Sequence, residues 1–142
     1  MKIYTDASFL VSLYAPDANS AKAARAMRTA AGDRFVTTLG ELEVVNAFEL
    51  RVFRKELTAD ETKSSLRDLE SDLRDGVFQL RGLSEKIFER AHRMSRQTTA
   101  KLGTRTADLL HVAAALELGV DYLYTFDEHQ RKLARSVRLK LN

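Results

Sequence analysis

Four acidic side chains lie at or near points where one predicted element gives way to the next, and together they could bind a metal ion. Asp6 and Asp127 directly follow short apolar, strand-like segments, whereas Glu43 and Asp108 lie in the first turns of predicted helices. Carboxylates that share one crevice repel each other unless a cation joins them. Oxygen-only ligands suit Mg²⁺ or Mn²⁺. The first hypothesis is therefore a divalent-metal site for phosphoryl chemistry.

Each acid also has a structural interpretation. Asp6 precedes a predicted helix, where aspartate is a favoured N-cap, so that cap and ligand are equally supported for this residue alone. Segment 127–130 resembles a capping box, which favours the cap for Asp127 alone. Asp108 lies at the favourable end of a helix dipole, but its helix is apolar on nearly every face. The metal site is favoured because all four acids would reach the same edge of a sheet.

Glu43 and Glu41 compete for one position in this site. Segment 38–41 fits the capping box S/T-x-x-E, in which Glu41 would bond the backbone N–H of Thr38. Glu43 has no comparable structural role and lies on a face that should pack inward, where a metal would offset the cost of burying a charge. We therefore prefer Glu43.

Three other polar side chains lie close to these acids in the sequence. Ser8 and Thr125 could hold a carboxylate or a metal-bound water, although hydrogen bonds at a helix start or strand end are at least equally supported. His111 follows Asp108 by one helical turn, and for this residue a packed or surface histidine is favoured over a functional one.

The elements that position these residues alternate between short apolar runs and longer amphipathic segments, which is typical of βα units and a mostly parallel sheet. Strand ends and helix starts then meet at one edge, where ligands bind. The predicted strands are 2–5, 35–37, 77–80, 122–125 and 137–139. The predicted helices cover 9–14, Asn19 to about Ala31, Thr38 to about Lys55, Thr58 to near Gly76, a segment around 87–94, Thr106 to Leu118, and 128–135, with 97–104 as a loop.

The composition indicates a globular chain and excludes several kinds of site. Its 142 residues fit a single domain, 1–142, which is large enough to bury a core. With no cysteine, the chain has no disulfides, zinc-thiolate sites or cysteine nucleophiles. No segment resembles a signal peptide or is apolar enough for a membrane span, so we expect a cytoplasmic protein.

The charge balance is compatible with a nucleic-acid partner. The net charge is +3 and the pI about 9.3, although a solvated charged surface explains such values better when they are taken alone. The basic group from Arg90 to Arg105 precedes Asp108. A polyanion drawn to the acids would need such a rim, because bare carboxylates repel phosphate.

The same residues resemble the motifs of PIN-domain ribonucleases. Ile3–Leu10 resembles the first strand and turn of this family, and Thr37–Phe48 its second motif. Asp108–Ala115 resembles the third motif, and Tyr124–Asp127 the fourth. The likeness extends over essentially the whole chain, and the phrase D-L-L-H-x-A-x-A resembles the VapC-like toxin branch.

The resemblance implies an α/β fold, a three-layer α/β/α sandwich around a mostly parallel sheet of about five strands. It also implies Mg²⁺- or Mn²⁺-dependent cleavage of RNA, a homodimer, and a small antitoxin protein that blocks the site. Carried over residue by residue, the metal-site acids are Asp6, Glu43, Asp108 and Asp127, and the helpers are Ser8 and Thr125.

Other functional classes fit the sequence less well. A receiver-type regulator needs paired acids after the first strand, and a haloacid-type phosphatase needs D-x-D, whereas Asp6 is followed by Ala7 and Ser8. The main alternative is a catalytically inactive PIN-like module that binds RNA or protein. It is disfavoured because all four acids are present.

Overall fold

The computed structural model describes residues 1–142 and contains one five-stranded, all-parallel sheet with seven helices. This confirms the predicted α/β fold class. The strands are β1 Lys2–Thr5, β2 Asp33–Thr37, β3 Gln79–Arg81, β4 Tyr122–Tyr124 and β5 Lys140–Leu141. The helices are α1 Ala7–Tyr14, α2 Ser20–Thr29, α3 Thr38–Phe53, α4 Ala59–Arg74, α5 Glu85–Leu102, α6 Thr106–Glu117 and α7 Glu128–Ser136.

The strand order β3-β2-β1-β4-β5 places β1 at the centre of the sheet. The chain runs outward from β1 through β2 to β3, and then returns to add β4 on the other side of β1. The order therefore reverses between β1 and β4. A crevice outside the carboxyl ends of the strands at such a switch point is the usual ligand site of an open parallel sheet.

Helices cover both faces of the sheet, because alternate side chains of a strand point to opposite sides. In β2, Phe35 belongs to the core built with α5, α6 and α7, whereas its neighbour Val36 belongs to the core built with α1, α3 and α4. Because both faces of such a strand are buried, its sequence is a continuous run of apolar residues. The three layers are those of the predicted sandwich.

Three predicted boundaries in the second half of the chain are wrong. Segment 97–104 was expected to be a loop, but α5 continues to Leu102 and ends at Gly103, whose φ of 64° suits glycine. Leu102 packs against the core, so polarity on the outer face hid the continuing amphipathic pattern. The third strand is Gln79–Arg81 rather than 77–80, and the last is Lys140–Leu141 rather than 137–139. In the last case, the backbone N–H groups of Val137 and Leu139 donate to carbonyl oxygens at the end of α7, so the strand begins only after these residues.

Two helix starts lie one residue before the predicted ones. Thr37, not Thr38, caps α3, and its Oγ1 accepts a hydrogen bond from Gly40 N at 3.2 Å. Arg105, not Thr106, precedes α6, and the Asp108 carboxylate accepts the Arg105 backbone N–H at 3.0 Å. Thr58 caps α4 as predicted. In both shifted cases the strand or loop residue before the expected cap has the extended backbone that a cap requires.

The leucines of α4 are part of the interior. Leu69 is buried in the core with α1 and α3, and Leu66 and Leu73 pack against the same core. None of the helices is both long enough and apolar enough to span a membrane.

Candidate active site

A cavity of about 590 Å³ lies outside the carboxyl ends of β1 and β4, at the point where the strand order reverses. Each predicted acid is brought there by a different element. Asp6 follows β1, Asp127 follows β4, Glu43 lies in the second turn of α3, and Asp108 lies in the first turn of α6. All four line this cavity, and Ser8 lines it with them.

Asp6 is almost completely buried, with 1% of the residue exposed. One oxygen caps α1 by accepting the Phe9 N–H at 2.9 Å. The other accepts the Thr125 hydroxyl at 2.7 Å. No lysine or arginine pairs with Asp6. Burial therefore raises the pKa of Asp6 above its usual range, although these hydrogen bonds oppose the shift.

Ser8 and Thr125 hold this carboxylate from two sides. The Ser8 hydroxyl lies 2.8 and 2.9 Å from the two oxygens of Asp6. It also accepts the Phe126 N–H at 2.9 Å, while the Thr125 hydroxyl accepts the Asp127 N–H at 3.0 Å. Each hydroxyl thus connects the end of β1 to the end of β4. The two interpretations of these residues, structural bonding and support of an acid, apply at the same time.

Asp108 and Asp127 are joined by the guanidinium of Arg105. Arg105 donates to both oxygens of Asp108, at 3.0 and 3.1 Å, and to one oxygen of Asp127 at 2.8 Å. Asp127 also caps α7 by accepting N–H groups of His129 and Gln130. The Arg105 side chain is 57% exposed, whereas Asp108 is buried. An exposed cation at the cavity mouth therefore balances two of the four acids.

Glu43 is bonded to a chain of buried polar groups that begins in the sheet. His111 is fully buried in α6, and its Nε2 lies within hydrogen-bond distance of Glu43 Oε1. The other ring nitrogen, Nδ1, lies 2.7 Å from the Tyr4 hydroxyl, which is 2.9 Å from Thr37 Oγ1. Gly40 allows α3 to pack closely against β2 beside these polar groups, since a Cβ at this position would lie only 3.2 Å from Val36 Cγ2.

One arrangement of protons gives every group in this series of hydrogen bonds a partner. Thr37 Oγ1 accepts the Gly40 N–H, so its own proton can go to the Tyr4 oxygen. If Tyr4 then donates to His111 Nδ1, the Nε2–H of the ring donates to Glu43. Every group in this arrangement has a partner. Burial also raises the pKa of Tyr4 far above its usual range, which keeps the phenol protonated as a donor.

The donor chemistry of the site fits a hard divalent cation. The oxygen atoms that line the cavity come from five carboxylates, two serine hydroxyls and two side-chain amides, and oxygen ligands are those preferred by Mg²⁺ and Mn²⁺. Asp6, buried without a cationic partner, is where added positive charge would relieve the largest cost. With Arg105 and His111 bonded to the other acids, no three acidic or histidine side chains are grouped closely enough to hold an ion. Direct binding by Asp108 and Asp127 requires Arg105 to move away.

Several residues of the site were missed or misjudged from sequence. His111 is neither a surface residue nor a simple packing residue, and its signal was its position three residues after Asp108 on the same helix. Arg105 was seen only as one member of a basic group, and of that group it alone lines the cavity. Asp17 is a fifth acid at the cavity, bonded by Ser12 at 2.8 Å. No spacing signal in the sequence indicated Asp17.

Comparison with known proteins gives one family and a consistent fold. A model of the PIN domain matches residues 3–136. The crystal structure of Mycobacterium tuberculosis VapC20, a sarcin-ricin loop cleaving toxin, has a TM-score of 0.70 at 17% identity, covering 92% of this chain and 93% of that chain. VapBC2 from Rickettsia felis, bound to a DNA fragment from its promoter, has a TM-score of 0.69 at 16% identity, covering 100% and 98%.

A third solved structure of the same fold is a toxin-antitoxin complex from Klebsiella pneumoniae. Its TM-score is 0.63 at 14% identity, and the match covers 88% of this chain and 86% of that chain. No curated protein matches this sequence. At such identities the likeness to the solved structures is one of fold.

Proposed function

Because the chain belongs to the PIN domain family, we propose that it is a Mg²⁺- or Mn²⁺-dependent endoribonuclease and the toxin of a toxin–antitoxin pair. One observation carries the proposal. Four carboxylates whose separations in sequence range from 19 to 121 residues line one cavity at the switch point of the sheet, and they are Asp6, Glu43, Asp108 and Asp127. Such a concentration of negative charge opposes folding unless it serves a cation.

The four acids have separate roles in this proposal. Asp6 is the fixed ligand, because hydrogen bonds from Phe9, Ser8 and Thr125 leave its carboxylate no freedom to turn. Asp108 completes the inner site, while Glu43 and Asp127 orient water around the ion. A divalent ion, when bound, supplies positive charge for the phosphate and activates water for attack on the phosphodiester bond.

Names of structures with the same fold support the RNA substrate and the antitoxin partner. One is a sarcin-ricin loop cleaving toxin and another is a toxin-antitoxin complex.

The proposed homodimer is supported by the outer face of α3, where Leu42 is 65% exposed and Phe53 is 83% exposed. Exposed apolar side chains of this size are typical of protein interfaces. Light scattering on the purified chain tests the dimer, and a monomeric mass at micromolar concentration contradicts it.

The nuclease is tested with two neighbouring acids of one helix. Glu43 lines the cavity and Glu41 does not, so Glu41→Gln is a control matched in charge, helix and chemistry. Purified protein free of any antitoxin is incubated with structured and single-stranded RNAs in Mg²⁺, Mn²⁺ or EDTA. We expect metal-dependent cleavage that falls at least about tenfold in Glu43→Gln and is unchanged in Glu41→Gln.

The same proteins distinguish the inactive module that binds only RNA or protein. One observation favours that alternative, since Arg105 and His111 already satisfy three of the four acids. Calorimetric titration with Mn²⁺ decides between the two functions. A metal site that is lost in Glu43→Gln or Asp6→Asn supports the nuclease, whereas no acid-dependent metal binding favours the inactive module.

A further inference from the structure

A second cavity, of about 560 Å³, lies next to the acidic one between α2 and α7. Asn19 and Phe126 line both cavities, so the two are continuous. We refer to the second as the basic cleft. Its remaining lining residues come from the exposed face of α2, from α7 and from the end of the chain, and they are Lys22, Arg25, Ala26, Thr29, Glu128, Arg131, Arg135 and Asn142.

The two cavities have opposite charge. The acidic cavity is lined by five carboxylates and two arginines, whereas the basic cleft is lined by one carboxylate and four cationic side chains. The whole chain carries a net charge of only +3. The basic cleft therefore has a local excess of positive charge directly beside the acids.

Three of the four cations in the basic cleft have no partner within the protein. Lys22, Arg25 and Arg135 form no ion pair and donate no side-chain hydrogen bond. Arg131 is different, because it donates to Thr125 O at 2.9 Å and to Asn142 Oδ1 at 3.2 Å. One cation is thus fixed against the carboxyl end of β4, and three are free to bind an external anion.

We propose that the basic cleft binds the phosphates of single-stranded RNA next to the bond that is cut. This rests on the proposed nuclease function and adds the path of the substrate. A strand whose cleaved phosphate enters the acidic cavity is repelled there by every carboxylate that the metal does not neutralise. Neighbouring phosphates held by Lys22, Arg25 and Arg135 compensate for that repulsion, because phosphate contacts supply most sequence-independent affinity.

The aromatic ring between the two cavities favours a single strand as the occupant. Phe126 is half-buried, stacks on Phe9 with ring centroids 5.5 Å apart, and lines both cavities. An unpaired base can pack against such a ring, whereas a base inside a duplex cannot reach it. An acidic protein segment would pair with the cations, but its carboxylates would gain nothing from an aromatic ring beside other carboxylates.

The proposal is tested by measuring RNA binding apart from cleavage. A fluorescent single-stranded RNA is titrated in EDTA, so that no metal-dependent cleavage occurs, and anisotropy is recorded at several salt concentrations. The variant is Arg25→Gln/Arg135→Gln. Its control is Arg93→Gln/Arg96→Gln, which removes the same charge from α5, where both arginines line a different cavity. Circular dichroism and melting verify that all proteins are folded.

We expect the cleft variant to bind about tenfold more weakly, and its slope of log affinity against log salt to fall by about 1.4, or about 0.7 for each lost phosphate contact. The control should match the wild type. In Mg²⁺ or Mn²⁺, the cleft variant should show a higher KM with kcat retained. Equal RNA affinity in the cleft variant and the wild type overturns the proposal and leaves the cleft to an acidic protein segment. A wild type that neither binds nor cuts RNA instead overturns the proposed nuclease function.

Discussion

At the scale of single residues, the acids of the cavity serve the fold and the site together. Asp6 caps α1, Asp127 caps α7, and Asp108 accepts the backbone N–H at the start of α6. In the sequence these appeared as competing interpretations. In each case the cap uses one carboxylate oxygen, and the other oxygen accepts from a second partner, which is Thr125 at Asp6 and Arg105 at Asp108 and Asp127. Capping therefore fixes the orientation that a ligand needs.

The buried carboxylate of Asp6 is expected to destabilise the metal-free protein at neutral pH. Its pKa in the folded state is raised by burial, so ionisation of this group removes stability as the pH rises. In EDTA, the stability of Asp6→Asn relative to the wild type should increase from acidic to neutral pH. Adding Mn²⁺ at 100 times its Kd should stabilise the wild type by about 2.7 kcal/mol and leave the variant unchanged. Thermal melting at several pH values measures both effects, and an equal response to Mn²⁺ in the two proteins would exclude Asp6 as a ligand.

His111 is predicted to position Glu43 for the metal. His111→Leu removes the donor to Glu43 and leaves the buried Tyr4 hydroxyl without its acceptor, which should cost about 1–3 kcal/mol of unfolding free energy. Mn²⁺ affinity, measured by calorimetry on folded protein, should fall about tenfold. His111→Gln retains a donor and an acceptor and should recover part of that affinity.

Matched results in the two variants would contradict this role. If His111→Leu and His111→Gln lose equal stability and bind Mn²⁺ as the wild type does, His111 is a packing residue only. Tyr4→Phe is a second test, because it interrupts the same chain one bond further from Glu43 without removing the histidine donor. Its loss of Mn²⁺ affinity should be smaller than that of His111→Leu.

What sequence could predict at this scale depended on whether the local pattern marks the position of a residue at the end or start of its element. Asp6, Ser8 and Thr125 were identified as candidate site residues because the pattern of apolar residues marks strand ends and helix starts. His111 was misjudged because its partners, Tyr4 and Glu43, are 107 and 68 residues away. Only the tertiary structure shows that such distant residues are hydrogen-bonded.

At the scale of elements, the first turn of α7 offers a test that separates capping from charge. Asp127 accepts two backbone N–H groups and pairs with Arg105, which is mostly exposed. Asparagine caps as well as aspartate but carries no charge. In EDTA, Asp127→Ala should lose about 1 kcal/mol of unfolding free energy, and Asp127→Asn less than half of that. Urea unfolding measures the difference, and equal losses would mean that the ion pair, not the cap, stabilises this helix.

The elements themselves were largely predictable because their apolar periods are strong. The first strand, the cap of α4 and the alternation of strands and helices followed from local pattern. The errors lie where local signals are weak. The last turns of α5 are polar outside and apolar only at Leu102, and β5 is two residues long, paired to β4 after a turn that the sequence does not mark.

At the scale of the whole molecule, the arrangement of charge was the least predictable property. The sequence shows basic residues along most of its length, and the group before Asp108 was expected to form the rim. The basic cleft instead combines α2 and α7, which are about one hundred residues apart along the chain. Helical spacing alone, with Lys22 and Arg25 three apart and Arg131 and Arg135 four apart, gave a signal on each helix but not that the two helices meet.

The central position of β1 also determines when the cavity can exist during protein synthesis. Asp6 leaves the ribosome 119 residues before Thr125, whose hydroxyl holds its carboxylate. The strand pair β1–β4 and the acids at positions 108 and 127 are likewise complete only after Asp127 has been made. A nascent chain therefore carries the first acid without the others. The proposed RNA cleavage would therefore be absent from the nascent chain until all four acids, the last of them Asp127, have emerged from the ribosome.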